Sequence, residues 1–223
     1  MELRHVSVRH NGAKPAVQDV SLTLEQGQRV ALLGLNGSGK TSLLLAAAGL
    51  IPHEGDILIH GEKLIARNAA ALRENVGVVF AVPEDQLLFP LVVEDVAFGH
   101  VRRGQSPELA KERAKDTLDA LGALALADRA PYELSHGERL RVAIAGALTT
   151  MPNVLLLDEP SSGLDPPGRR NLARVLAELS SAMWIATHDL DFARRCCDRY
   201  ALLDGGLLRA QGDIEDVDSL WTE

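Results

Sequence analysis

Residues Gly34-Leu35-Asn36-Gly37-Ser38-Gly39-Lys40-Thr41 carry the spacing G-x-x-x-x-G-K-[ST], which builds a loop whose main-chain N–H groups converge on an anion. Wrapping main chain closely around a polyphosphate requires glycine wherever a Cβ would clash or φ must be positive. In such a loop Lys40 reaches the β- and γ-phosphates and the Thr41 hydroxyl ligates Mg²⁺. The helix that begins near Lys40 turns its partial positive end toward the phosphates. An apolar run at 29–33 precedes the loop and a helix-forming run at 41–50 follows it, the setting this chemistry needs.

Three further constellations go with the loop. Val154-Leu155-Leu156-Leu157-Asp158-Glu159 is an apolar run ending in two carboxylates. Asp158 at such a strand end can hold Mg²⁺ beside Thr41, and Glu159 can take a proton from the water attacking a γ-phosphate, a role that contributes roughly 10²–10⁴-fold in rate. Leu134-Ser135-His136-Gly137-Glu138 starts a helix with a capping box, a second surface suited to an anion. One phosphate loop already surrounds three sides of a nucleotide, so this second surface makes sense if it faces a nucleotide held by another copy. Lastly, Ser162-Gly163-Leu164-Asp165 follows the carboxylates, and Thr187-His188-Asp189 follows the next apolar strand. There His188 is placed for a γ-phosphate contact, at the end of a strand where open α/β sheets gather ligand groups.

The elements that must hold these groups follow from periodicity. Runs at 3–8, 17–24, 29–33, 55–60, 76–80, 153–157, 183–187 and 200–203 read as strands. In the second, Val20, Leu22 and Leu24 alternate with polar residues, as in a half-exposed antiparallel strand. A polar turn covers 11–15, and Asp204-Gly205-Gly206 is a hairpin turn. Helices are expected at 67–75, 168–180 and 190–197. From 83 to 150 the chain is mostly helical: Ser106-Pro107 starts one helix that Gly122 ends, and another covers 139–148. The expected architecture is a single α/β domain with a mainly parallel core sheet and an antiparallel β edge. Its core is 1–82 and 151–211, with a helical insert at 83–150 and a short polar tail at 212–223.

Composition narrows the function. Lys plus Arg total 23 against 31 for Asp plus Glu, a net charge of −8, which argues against direct nucleic-acid binding. The longest apolar run, 43–51, falls far short of a membrane span, and the N-terminus is strand-like rather than a signal peptide. A cytoplasmic chain is expected, with any membrane role coming through a partner. Cys196 and Cys197 are adjacent and read as buried structural thiols.

Taken in order, these stretches resemble the ATP-binding subunit of ABC transporters over nearly the whole chain. The Walker A loop is 34–41, the signature 134–138, Walker B 154–159, the D-loop 162–165 and the switch histidine His188. The resemblance implies a P-loop ATPase of the ABC fold, hydrolysing ATP to ADP and phosphate with Mg²⁺ on Thr41 and Asp158. Catalysis would fall to Glu159, His188 and Lys40. ATP would contact His10, Gly34, Leu35, Asn36, Gly37, Ser38, Gly39, Lys40, Thr41 and Ser42 of one subunit, and Ser135, Gly137, Glu138 and Asp165 of the other. The resemblance further implies a head-to-tail homo- or heterodimer that closes on ATP and drives transmembrane transporter subunits from the cytoplasmic face of the cell membrane. Val76–Phe80 with 83–87, 93–99 and 141–146 resembles the energy-coupling-factor importers of vitamins or cobalt and nickel.

This sequence departs from the family pattern at three places. Ala81 stands where the Q-loop glutamine is expected, with Gln86 a weaker substitute. His136 and Glu138 replace the usual Gly and Gln of the signature, and His10 replaces the aromatic residue that stacks on adenine. These departures leave room for a degenerate regulatory module that binds ATP without useful hydrolysis, although Lys40, Asp158, Glu159 and His188 are intact. A soluble ABC ATPase acting on nucleic acid would want duplicated cassettes, a coiled-coil insert or a basic patch, and none is visible in the sequence.

Overall fold

Each run read as a strand forms one, with neighbours set by how many of its faces must be buried. A computed structural model describes residues 1–10 and 14–217; residues 11–13, in the expected polar turn, and 218–223, the end of the expected tail, lie outside the described residues. The chain runs β1 (Glu2–Val8), β2 (Val17–Thr23), β3 (Arg29–Leu33), α1 (Lys40–Ala47), β4 (Glu54–Ile59), β5 (Glu62–Lys63), α2 (Ala69–Arg73) and β6 (Val76–Val79). Three helices follow, α3 (Val92–Arg102), α4 (Pro107–Ala120) and α5 (His136–Leu148). The chain then returns through β7 (Val154–Asp158), α6 (Pro166–Glu178), β8 (Ala182–Thr187), α7 (Leu190–Cys196), β9 (Arg199–Asp204) and β10 (Leu207–Asp213).

Two sheets result, ordered β2-β1-β4-β5 and β10-β9-β3-β8-β7-β6. In the second, β9, β3, β8, β7 and β6 are parallel and β10 is an antiparallel edge. The antiparallel strands expected at an edge therefore form a sheet of their own, apart from β10, whose mixed pattern is hard to see beyond its turn. Alternation assigns the core. Ala31 and Leu33, Leu155 and Leu157, and Met183 and Ile185 face the side packed by helices α3 to α7. Val30 and Leu32, Val154 and Leu156, and Trp184 and Ala186 face the side shared with α1 and the antiparallel sheet. Both faces of the parallel sheet are thus apolar, as its unbroken Val/Leu/Ile runs require.

Helix ends follow their caps. Ser106 accepts from the Leu109 N–H at 3.3 Å, Asp165 from Gly168 at 2.8 Å and Asp189 from Phe192 at 2.9 Å, each satisfying an orphan donor. The helix expected at 41–50 stops earlier, at Ala47, because Gly49 takes φ +66° and ends it in the left-handed region. Gly99 in α3 allows Thr149 to approach closely; a Cβ there would collide with the Thr149 hydroxyl. The expected polar tail needs correction. Its first residues complete β10, and Ile214–Val217 form a 3-10 turn whose Ile214 and Val217 are buried in the main core, since apolar residues three apart in such a turn share a face. Cys196 and Cys197 are free and buried, as expected.

Leu156 is fully buried in β7 between β6 and β8. Leu156→Ala is expected to cost about 2–5 kcal/mol, read as a lower denaturation midpoint at unchanged m-value. A loss well under that range would mean the sheet is not packed on both faces.

Candidate functional site

Three strand ends meet at the site. β3, β8 and β7 are parallel neighbours, with Leu33 opposite Thr187 and Asp158 opposite Ala186, so the residues following each strand emerge on one edge. After β3, Gly34, Gly37 and Gly39 take φ of +152°, +82° and +104°. A Cβ on Gly34 would strike the Leu203 carbonyl, and one on Gly39 the Ala16 carbonyl, so β9 and the approach to β2 press closely on the loop from the protein side. The Lys40 ammonium is buried; it donates to the carbonyls of Gly34 at 2.8 Å and Leu35 at 3.3 Å.

Thr41 donates its hydroxyl proton to Asp158 Oδ2 at 2.7 Å. The other oxygen, Oδ1, is buried without a hydrogen-bond partner among the described residues. Burial pushes the Asp158 carboxyl above its ordinary value of 3.8, and the neighbouring Glu159 charge adds to this against the opposing pulls of Thr41 and Lys40. A buried, unpaired carboxylate oxygen beside a hydroxyl is a donor set for a hard divalent cation. No group of three or more His, Cys, Asp or Glu side chains suited to a metal occurs among the described residues.

Glu159 sits at φ +47°, a conformation costing a non-glycine residue roughly 1–3 kcal/mol. It is held there by its N–H to the Ala186 carbonyl at 2.8 Å and by Ser162 N–H donating to its own carbonyl at 3.0 Å. The bend aims the carboxylate between two partners: Oε1 pairs with Lys40 Nζ at 3.2 Å and Oε2 lies 2.9 Å from His188 Nδ1. A carboxylate accepts, so His188 carries its proton on Nδ1 and leaves Nε2 for another partner. His10 stands at the same end, its Nε2 2.9 Å from the Ser42 hydroxyl in the first turn of α1.

The other expected contacts lie apart. Ser135, Gly137, Glu138 and Asp165 line a separate hollow of about 420 Å³, to which no residue of 34–42 contributes. Ser135 N–H donates to Glu138 Oε2 at 2.8 Å, and Glu138 N–H returns a bond of 3.4 Å to Ser135 Oγ. These Ser135 bonds, the backbone one foremost, hold the Glu138 carboxyl below its ordinary value. Asp165 has committed one oxygen to capping α6. At the Q-loop position Ala81 lies just beyond the end of β6. Gln86 cannot take over that place as it stands, because its amide is engaged at both ends, with Val78 O at 2.8 Å and Phe80 N at 3.2 Å.

The family model described as ABC transporter matches residues 17–162. The chain belongs to the ABC transporter family. A provisionally named ABC transporter ATP-binding protein of Gloeobacter violaceus is 44% identical over 205 residues, covering 91% of this chain and 84% of that protein. The energy-coupling factor transporter ATP-binding protein EcfA of Methanothermobacter thermautotrophicus is 38% identical over 95% of this chain and 70% of its own. Among solved structures, cbiO1 of Clostridium perfringens, described as part of the ABC transporter complex cbiONQ, superposes with a TM-score of 0.88 at 31% identity, covering 98% of this chain and 90% of that one. The fold is the ABC ATPase fold, and this ABC subunit is an ATP-binding ATPase coupled to transport.

Two side-chain pairs at the site escape sequence reading. Arg139 in α5 donates to Glu84 at 2.6 Å, across 55 residues with no local signal. Arg169 donates to Asp189 at 2.9 Å, tying α6 to the segment after His188, across 20 residues and likewise with no local signal.

The raised Asp158 carboxyl has a consequence for stability. The folded chain holds that proton more tightly than the unfolded one, so ionised Asp158 opposes folding at neutral pH; the opposition fades as pH falls through the raised value and is gone below 3.8. Asp158→Asn is therefore expected to melt at a higher temperature than wild type at neutral pH, with the gap closing on acidification. A lower melting temperature at neutral pH would show that Lys40 and Thr41 outweigh burial.

Proposed function

We propose that this ABC subunit powers an importer of the energy-coupling-factor type, engaged in vitamin or cobalt and nickel uptake. The observation that carries its chemistry is the cluster Lys40, Thr41, Asp158, Glu159 and His188 on one edge of three adjacent parallel strands. The subclass draws support from the EcfA relative and from the cbiO1 structure. No helix among the described residues is long and apolar enough to cross a membrane, in keeping with work at the cytoplasmic face through transmembrane partner subunits.

In this reading the loop 34–42 wraps the phosphates, and His10 lies against the base. Thr41 and the Asp158 oxygen without a partner among the described residues would hold Mg²⁺, which would offset charge on the phosphate oxygens. Glu159 Oε2 takes the proton of the attacking water, and the buried Lys40 ammonium turns from the loop carbonyls to the phosphates. To donate to a phosphate oxygen, His188 needs a proton on Nε2 as well as the one Glu159 holds on Nδ1. The hollow carrying Ser135, Gly137, Glu138 and Asp165 meets the nucleotide of a second subunit, since it shares no lining residue with the phosphate loop of its own chain. The finding that Gln86 is tied to β6 supports Ala81 as a real loss of a polar contact.

Glu159→Gln is expected to lower Mg-ATP turnover by roughly 10²–10⁴-fold and to elute as an ATP-dependent dimer in size-exclusion chromatography. A variant saturated with Mg-ATP that stays monomeric, alone and with its co-purifying subunit, would sink the two-copy site. Ala81→Gln is expected to raise turnover and transport, and unchanged rates would remove any role for that position. Membrane proteins co-purifying from detergent extracts test the importer assignment; their absence would count against it.

A further inference from the structure

His136 occupies the first turn of α5, where the signature motif usually carries glycine. Its Nε2 lies 3.0 Å from the carbonyl oxygen of Ser162. A carbonyl only accepts, so Nε2 must carry a proton. Its other nitrogen, Nδ1, is 3.7 Å from Glu84 Oε1, beyond hydrogen-bond reach, and Glu84 is already bonded to Arg139.

The contact is shaped from both sides. Gly163 takes φ +72°, and a Cβ there would stand 3.1 Å from the imidazole Cδ2; a Cβ on Gly137 would stand 3.0 Å from Leu164 Cδ2. The ring and the 162–164 segment thus approach each other through two positions that lack side chains. Ser162 is also the residue whose N–H closes the turn on the Glu159 carbonyl at 3.0 Å. A continuous set of bonds therefore runs from the start of α5, through one imidazole, to the strained residue that bonds His188 and pairs with Lys40.

We infer that His136 is a positioning residue, whose Nε2–H fixes the turn after Glu159 to the signature helix of the same chain. This rests on the reading of Glu159 as the base. The signature surface and Glu159 then move as one body when a second subunit engages the hollow. The replacement of glycine at 136 is accordingly an added tie within the subunit and leaves the surface presented by Ser135 and Gly137 open.

Two measurements test it. In nitrogen-15 spectra of the wild-type chain, neutral His136 is expected as the Nε2–H tautomer; an Nδ1–H tautomer overturns the inference whether or not the protein hydrolyses ATP. In steady-state Mg-ATP turnover, His136→Gly and His136→Phe are expected to lose about fivefold in kcat, the weight of one neutral hydrogen bond, with KM nearly unchanged. His136→Gln, which restores a donor at similar reach, is expected to recover most of that loss. Equal kcat in all three variants and wild type, or a loss that Gln does not repair, refutes the positioning role. A wild-type chain without turnover would instead refute the ATPase assignment and leave the spectra to decide on His136.

Discussion

The carboxylate of Asp158 is the constraint to which the rest of the site answers. It closes an apolar strand that is buried on both faces, and a charge in that position is unfavourable unless it is bonded. Thr41 satisfies one oxygen, and the other has no hydrogen-bond partner among the described residues. The hydroxyl can be there only because the phosphate loop leaves β3 at the same sheet edge, and the loop can turn only because Gly34 and Gly39 make room for the carbonyls of Leu203 and Ala16. Glycine spacing, strand order and one buried charge are thus parts of one arrangement.

Glu159 shows how strain is used. Directly after Asp158 the backbone turns into the left-handed region without glycine, which the strand alone would not favour. Bonds to Ala186 and from Ser162 hold that turn, and the result is a carboxylate between an ammonium and an imidazole rather than one buried beneath the sheet. Neighbouring residues of the same chemical type therefore acquire different surroundings: Asp158 is enclosed and half-satisfied, while Glu159 is bridged to two side chains from separate elements.

Legibility followed the range of the interaction. The phosphate loop, the capping box at Ser135 and the apolar strands were plain because each depends on residues within a few positions of one another. The early end of α1 at Gly49 and the burial of Ile214 and Val217 were less so, since a short helix and a polar-looking tail depend on what they meet. The Glu84–Arg139 pair and the engagement of Gln86 by β6 had no sequence signal at all. Hydrogen-bond partners of that kind are selected by packing, and a glutamine that looks able to replace a missing one can already be occupied by main chain.

Residue types and their spacing settle which chemistry is available: a loop able to follow phosphates, a hydroxyl and carboxylate suited to a cation, a second acid, and a histidine at the end of a strand. These follow from side-chain type and local backbone preference, which a linear string carries. Tertiary structure alone decided that β8 lies between β3 and β7, so that Lys40, Asp158, Glu159 and His188 share an edge, and that Ser135 and Gly137 look into a different hollow. Strand order is a property of how two buried faces are covered by helices and a second sheet, and that depends on every apolar residue at once.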